Sequence, residues 1–131
     1  MKIENVLDDI IRTIQADEYF LDIRVIKAYP CSVAPTRLAD ETVVIGFDEI
    51  RFSSMCVDES GREGDIAVFI DIFVPVKMNS SRASDILSRL CRCFGNYNVL
   101  SVCAERLTVD VNTAAYQLRT AFTFNYEIEV I

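Results

Sequence analysis

Paired carboxylates are the residues of this sequence best suited by type to do chemistry: Asp8 with Asp9, Asp58 with Glu59, and Glu127 with Glu129. Two carboxyl groups share acid and base work only when their surroundings push their pKa values apart. Each of these pairs falls where a solvated helix face, a turn tip or the wet side of a strand places acids anyway, so catalysis is not expected from them. The cysteines Cys31, Cys56, Cys91, Cys93 and Cys103 are the next candidates, but the chain has no histidine to act as their base. That absence also removes the commonest metal ligand and pH switch. An odd cysteine count without CxxC spacing fits free thiols in a reducing compartment, and buried ones are expected. Cys91 and Cys93, two apart on an expected helix, project in divergent directions and should not bridge. Gly61 and Gly64 flank Arg62 and Glu63 without any phosphate-binding glycine pattern, so a flexible hairpin turn is expected there. No catalytic residue, cofactor or metal site is therefore expected, and the protein is read as a non-enzyme.

Composition narrows the partners. The net charge is −7, from 13 basic and 20 acidic residues, and no Lys/Arg cluster provides the footprint of a nucleic-acid-gripping surface. Hydrophobic residues make up 51% of the chain, yet charges interrupt them throughout, so no run approaches the roughly 20 apolar residues of a membrane helix. Neither direct nucleic-acid binding nor membrane insertion is expected. The opening Met1, Lys2, Ile3, Glu4, Asn5 lacks the basic start and apolar stretch of a signal peptide, which predicts residence in a cytoplasm. A length of 131 residues suits one domain over 1–131, with a core that needs no staples.

The elements that must position these residues follow from apolar spacing. Ile3, Val6, Leu7, Ile10, Ile11 and Ile14 lay a continuous stripe that predicts a helix over about Lys2 to Ala16. Leu21, Ile23 and Val25 alternate with polar residues as a strand, and Pro30 to Asp40 reads as a surface loop. Val43, Ile45 and Phe47 yield to Ile50 and Phe52, a change of phase that predicts a bulge near Asp48. The segment Asp58 to Gly64 has turn composition, and Ile66, Val68, Ile70, Ile72, Val74 and Val76 form one face of the strand that returns. The two strands make a long hairpin with an acidic tip. Ala83, Ile86, Leu87, Leu90, Cys91 and Phe94 repeat the helical stripe, so both helices should lie side by side on one sheet face. Leu100, Val102 and Ala104 pass to Leu107, Val109 and Val111 through a bulge expected at Glu105 and Arg106. The closing strand alternates from Tyr116 to Val130. The expected class is α+β, a mainly antiparallel sheet of four to five strands with two helices on one face, in the order α-β-β-β-α-β-β.

Asp71 lies mid-strand with Asp65, Phe69 and Phe73 on the side opposite the Ile/Val stripe. Large aromatics there require a cover, either bent sheet and loops of the same chain or a neighbouring subunit.

The helix Ile3 to Ile14, the hairpin about Gly61 ending in Ile66 to Val76, the helix Ala83 to Phe94 and the ending in which Tyr116 and Arg119 lead into Phe122 to Val130 resemble, in pattern, the tail terminator (tail completion) proteins of long-tailed bacteriophages and related prophage tail particles. The resemblance implies a single tail-terminator-like domain that forms a ring, typically of six subunits, capping the tail tube and docking it to the head. Implied partners are further copies of the chain, the tube protein and a head-completion protein, first in the host cytoplasm and then in the virion tail. An acidic ring would let DNA pass, since like charges repel over about 8 Å. The expected partner contacts are Asp58, Glu59, Arg62 and Glu63 at the hairpin tip, with Asp71 and Phe73 behind it. The alternative is an acidic, dimeric secretion chaperone, a family that usually finishes with a helix. A small enzyme using only carboxylates would need converging acids.

Overall fold

The first apolar stripe folds as helix, in two geometries. In the computed structural model, which describes residues 2–28, 38–52 and 61–129, a 3-10 turn at Ile3–Asn5 leads into α1, Val6–Gln15. Val6, Leu7, Ile10 and Ile14 are buried, as the three-and-four spacing requires. Leu21, expected in a strand, is instead 75% exposed in the turn that follows. The cause is local: the Asp17 carboxylate accepts the Tyr19 N–H at 2.9 Å and tightens Glu18–Phe20 into a 3-10 turn. Strand β1 therefore starts later, at Arg24–Lys27.

β2, Thr42–Phe52, pairs antiparallel with β3, Gly61–Pro75, and the register slips between Phe47 and Glu49, the bulge that the phase change predicts. The tip residues Asp58, Glu59 and Ser60 lie outside the described residues, as does most of the Pro30 to Asp40 loop. Gly61 to Gly64, expected as a turn, are strand, paired with residues 126–129. α2, Ser81–Cys93, buries Ala83, Ile86 and Leu90, with buried Phe94 just after it. Cys91, expected on that buried stripe, is exposed, and so is Cys103. Two of the thiols thus contradict the expected burial, Cys93 is half-buried, and Cys31 and Cys56 lie outside the described residues.

The segment expected to be one bulged strand is two. β4, Val99–Ala104, and β5, Thr108–Asp110, are separated by Glu105 to Leu107 and pair in succession with the long final strand β6, Ala115–Glu129. The protein is α+β, with a six-stranded sheet in the order β1-β2-β3-β6-β4, β5 continuing beside β6. All described pairings are antiparallel except β1 with β2.

One face of β3 carries Ile66, Val68, Ile70, Ile72 and Val74 into a core shared with both helices and with Leu118, Phe122, Phe124 and Ile128 of β6. The helices do lie together on this face: α1 packs on β1 and β2, and α2 on β3 and β6. Beyond β6, on the side of β4 and β5, the helical layer ends. A smaller cluster of Ala28, Leu38, Val44, Phe73 and Ala115 forms on the other face.

Candidate interaction surface

The second face answers what covers the aromatics. Phe73 is 5% exposed, packed with Leu38 and Ala28, so the chain covers it itself. Arg119 grips Asp71 with two hydrogen bonds of 2.8 Å, and its guanidinium lies 5.4 Å from the centre of the Phe69 ring. The Phe69 ring in turn lies against Gly46 across the β2–β3 ladder, where any Cβ would collide with it. Asp71 is buried, whereas the Arg119 side chain is 53% exposed, so a buried charge is neutralised from the surface.

Among the residues expected to meet a partner, the described ones do not converge. Asp58 and Glu59 lie outside the described residues; Arg62 is placed by its backbone opposite Ile128, and Glu63 is exposed on β3 opposite Glu127. Asp71 and Phe73 lie at the other end of that strand, enclosed within the chain. Beside them on that face, the Arg119 side chain stays 53% exposed and Phe69 is half-buried.

Several acidic residues are held by structural contacts. Asp8 pairs with Lys27 at 3.0 Å. Asp9 accepts hydrogen bonds from Tyr97 at 2.9 Å and Tyr126 at 3.1 Å, and burial raises the pKa of both phenols. Asp17 receives two 3.0 Å bonds from Arg89, which hold its pKa down at about 2. Cys93 donates its thiol proton to the same carboxylate; burial, then Asp17, push its pKa up to about 12. This thiol is the opposite of an activated nucleophile. The Tyr19 ring sits between the guanidiniums of Arg82 and Arg89, 5.7 and 5.6 Å from its centre, while Arg82 also grips Glu41 with two 2.9 Å bonds. These contacts clamp α2 to the turn after α1. Among the described residues no group of three or more Cys, Asp or Glu is placed to hold a metal ion, and no helix is long and apolar enough to cross a membrane.

The surface that sequence reasoning missed is the outer edge of the sheet. Leu100, Val102, Leu107, Val109 and Val111 are 52%, 42%, 39%, 57% and 87% exposed. Their alternation signals a strand, and these side chains stay exposed because the helices stop short of them. Val102 lies on the helix face beside Phe122, yet among the described residues it stays 42% exposed whereas Phe122 is fully buried. The hydrogen-bond phase of β4 is set by the Glu105 N–H, which donates to the Arg119 carbonyl at 2.8 Å. In an antiparallel ladder the bonded positions alternate, so Ser101, Cys103 and Glu105 turn their backbone groups to β6 while Val102 and Ala104 turn theirs outward. No described strand pairs with that outer side. Residues 99–111 also contain neither Lys nor Pro, which commonly guard an exposed edge; the irregularity in β4 is the register shift at Leu100, between Val99 and Ser101.

A scan against protein-family models finds no match for this chain, and a search of curated proteins also finds none.

Proposed function

We propose that this protein is a structural assembly subunit that joins copies of itself through the β4–β5 edge and does not transform a substrate. The observation that carries the reading is that edge: outward N–H and C=O groups at Val102 and Ala104, bordered by exposed Leu100, Val102, Leu107, Val109 and Val111. Open apolar edges on soluble domains draw a further strand. The resemblance gives the reading its finer form, a ring of six that caps a phage tail tube and docks it to the head, with the hairpin tip toward the tube. A charge of −7 suits a ring through which DNA passes.

A dimeric secretion chaperone is the second reading. Its support is that one edge of the sheet is unguarded, which suits a pair. Sedimentation velocity with negative-stain imaging separates the readings. Closed rings support the tail assembly, discrete dimers support the chaperone, and a protein that stays monomeric at high concentration, alone and with purified tail tubes, overturns the assembly reading.

A further inference from the structure

We infer that the elementary contact of this protein is a two-fold pair in which β4 of one copy lies antiparallel to β4 of a second copy, centred on Val102. The inference rests on the self-association reading and describes a pair; a ring with unlike tube and head faces is built from head-to-tail contacts and would need a different joint.

The two edges of the sheet are unequal. β1 has four residues, two of them Arg24 and Lys27, and Lys27 is held by Asp8. Charged side chains on a short strand are the ordinary protection of an edge. β4 has six residues, none charged. One unguarded edge per chain is satisfied by an identical edge only across a two-fold axis.

The register follows from charge and size. Residues 100–104 read Leu, Ser, Val, Cys, Ala, an uncharged stretch bounded by Glu105 and Arg106. Centring the axis on Val102 sets Ser101 against Cys103 and brings Leu100, the extra residue where the register to β6 shifts, toward Ala104, a large side chain beside a small one. It leaves both charges beyond these five pairs. Moving the centre one residue, to Cys103, would bring Glu105 opposite Ser101 and Arg106 opposite Leu100. With Val102 at the centre, its outward N–H and C=O bond to their own copies in the partner strand, as at any hydrogen-bonded antiparallel pair. The Ser101–Cys103 pairs then occupy non-bonded positions, where Cα atoms approach to about 4.5 Å, close enough for a disulfide.

Two variants test this in the full chain. Val102→Pro removes an N–H that faces away from β6, a position where proline leaves the ladder to β6 intact. Its self-association, measured by sedimentation equilibrium, should weaken about tenfold or more, since two inter-copy hydrogen bonds are lost across the axis. Should this variant fold poorly by circular dichroism, Val102→Lys serves in its place. The second is Ser101→Cys in a Cys91→Ser background, oxidised mildly and resolved by non-reducing electrophoresis. It should form a covalent dimer, joining the introduced thiol of one copy to Cys103 of the other, faster than the Cys91→Ser parent forms any, with the linkage confirmed by peptide mapping. Oligomers that resist Val102→Pro or Val102→Lys and give no such crosslink overturn the two-fold joint while leaving self-association standing. A wild-type protein that stays monomeric overturns both.

Discussion

The sheet has two margins, and they are finished differently. At the β1 margin, α1 lies over the strand, Val25 packs against the main core and Lys27 is tied to Asp8. At the β4–β5 margin the helical layer stops and five large apolar side chains face outward. The same kind of alternating sequence therefore has two fates, decided by whether a helix reaches it. The uncovered strand is the feature on which the proposed self-association rests.

The comparison breaks most visibly if the uncovered strand matters to the fold as much as its covered neighbour. Phe122→Ala on β6 removes a fully buried ring and should cost about 3–5 kcal/mol. Val109→Ala on the exposed margin should cost no more than about 0.5 kcal/mol. Urea unfolding under monomeric conditions checks both, and a cost at Val109 near that at Phe122 would show that the margin is covered. Next in size, Arg119→Met strips the partner from buried Asp71. With Arg119 half-exposed and water able to reach the site, the expected loss is about 2 kcal/mol in the same assay.

A pH measurement sharpens the covered side. Asp17 has a folded pKa of about 2 against an ordinary 3.8, held down first by Arg89. A depressed carboxylate stabilises the fold above its unfolded pKa and loses that contribution as pH falls through its folded pKa. Wild type should thus be more stable than Arg89→Gln by a constant margin above about pH 5, a margin that shrinks below about pH 4 and is nearly gone by about pH 2. Acid unfolding followed by circular dichroism reads it, and a margin that grows on acidification contradicts the Asp17–Arg89 clamp.

The helices were legible because their stripes are local: the burial of Ile10, Ile14, Ile86 and Leu90 can be read from spacing alone. The bulge after Phe47 was legible for the same reason, since a change of phase is written in the strand itself. The outer margin was not. Val102 and Phe122 alternate in the same way, and only the reach of α2 separates them. Likewise Asp9 meets Tyr97 and Tyr126 from three distant segments, and nothing in the spacing of any one announces the others. Of the expected contact residues, Phe73 packs with Leu38 and Ala28 and Asp71 is held by Arg119, and the spacing within β3 could not tell such cover by the same chain from a neighbouring subunit.

Thiol reactivity gives the smallest and simplest contrast. Cys91 and Cys103 are exposed, whereas burial and Asp17 keep Cys93 protonated, with a pKa of about 12. Iodoacetamide at neutral pH, followed by peptide mapping, should label Cys91 and Cys103 readily and spare Cys93. Raising the protein concentration should slow labelling at Cys103, on the margin, and leave Cys91 unchanged. Equal labelling of Cys93 would contradict the clamp.

Backbone amide exchange, resolved to single residues and followed across a range of protein concentrations, tests the open margin most directly. The amides of Val102 and Ala104 should exchange fast in dilute protein and become protected as concentration rises, while Ser101 and Cys103, bonded to β6, stay protected throughout. If Val102 and Ala104 are already protected in the monomer, or remain fast while the protein assembles, the β4–β5 edge is not where copies meet.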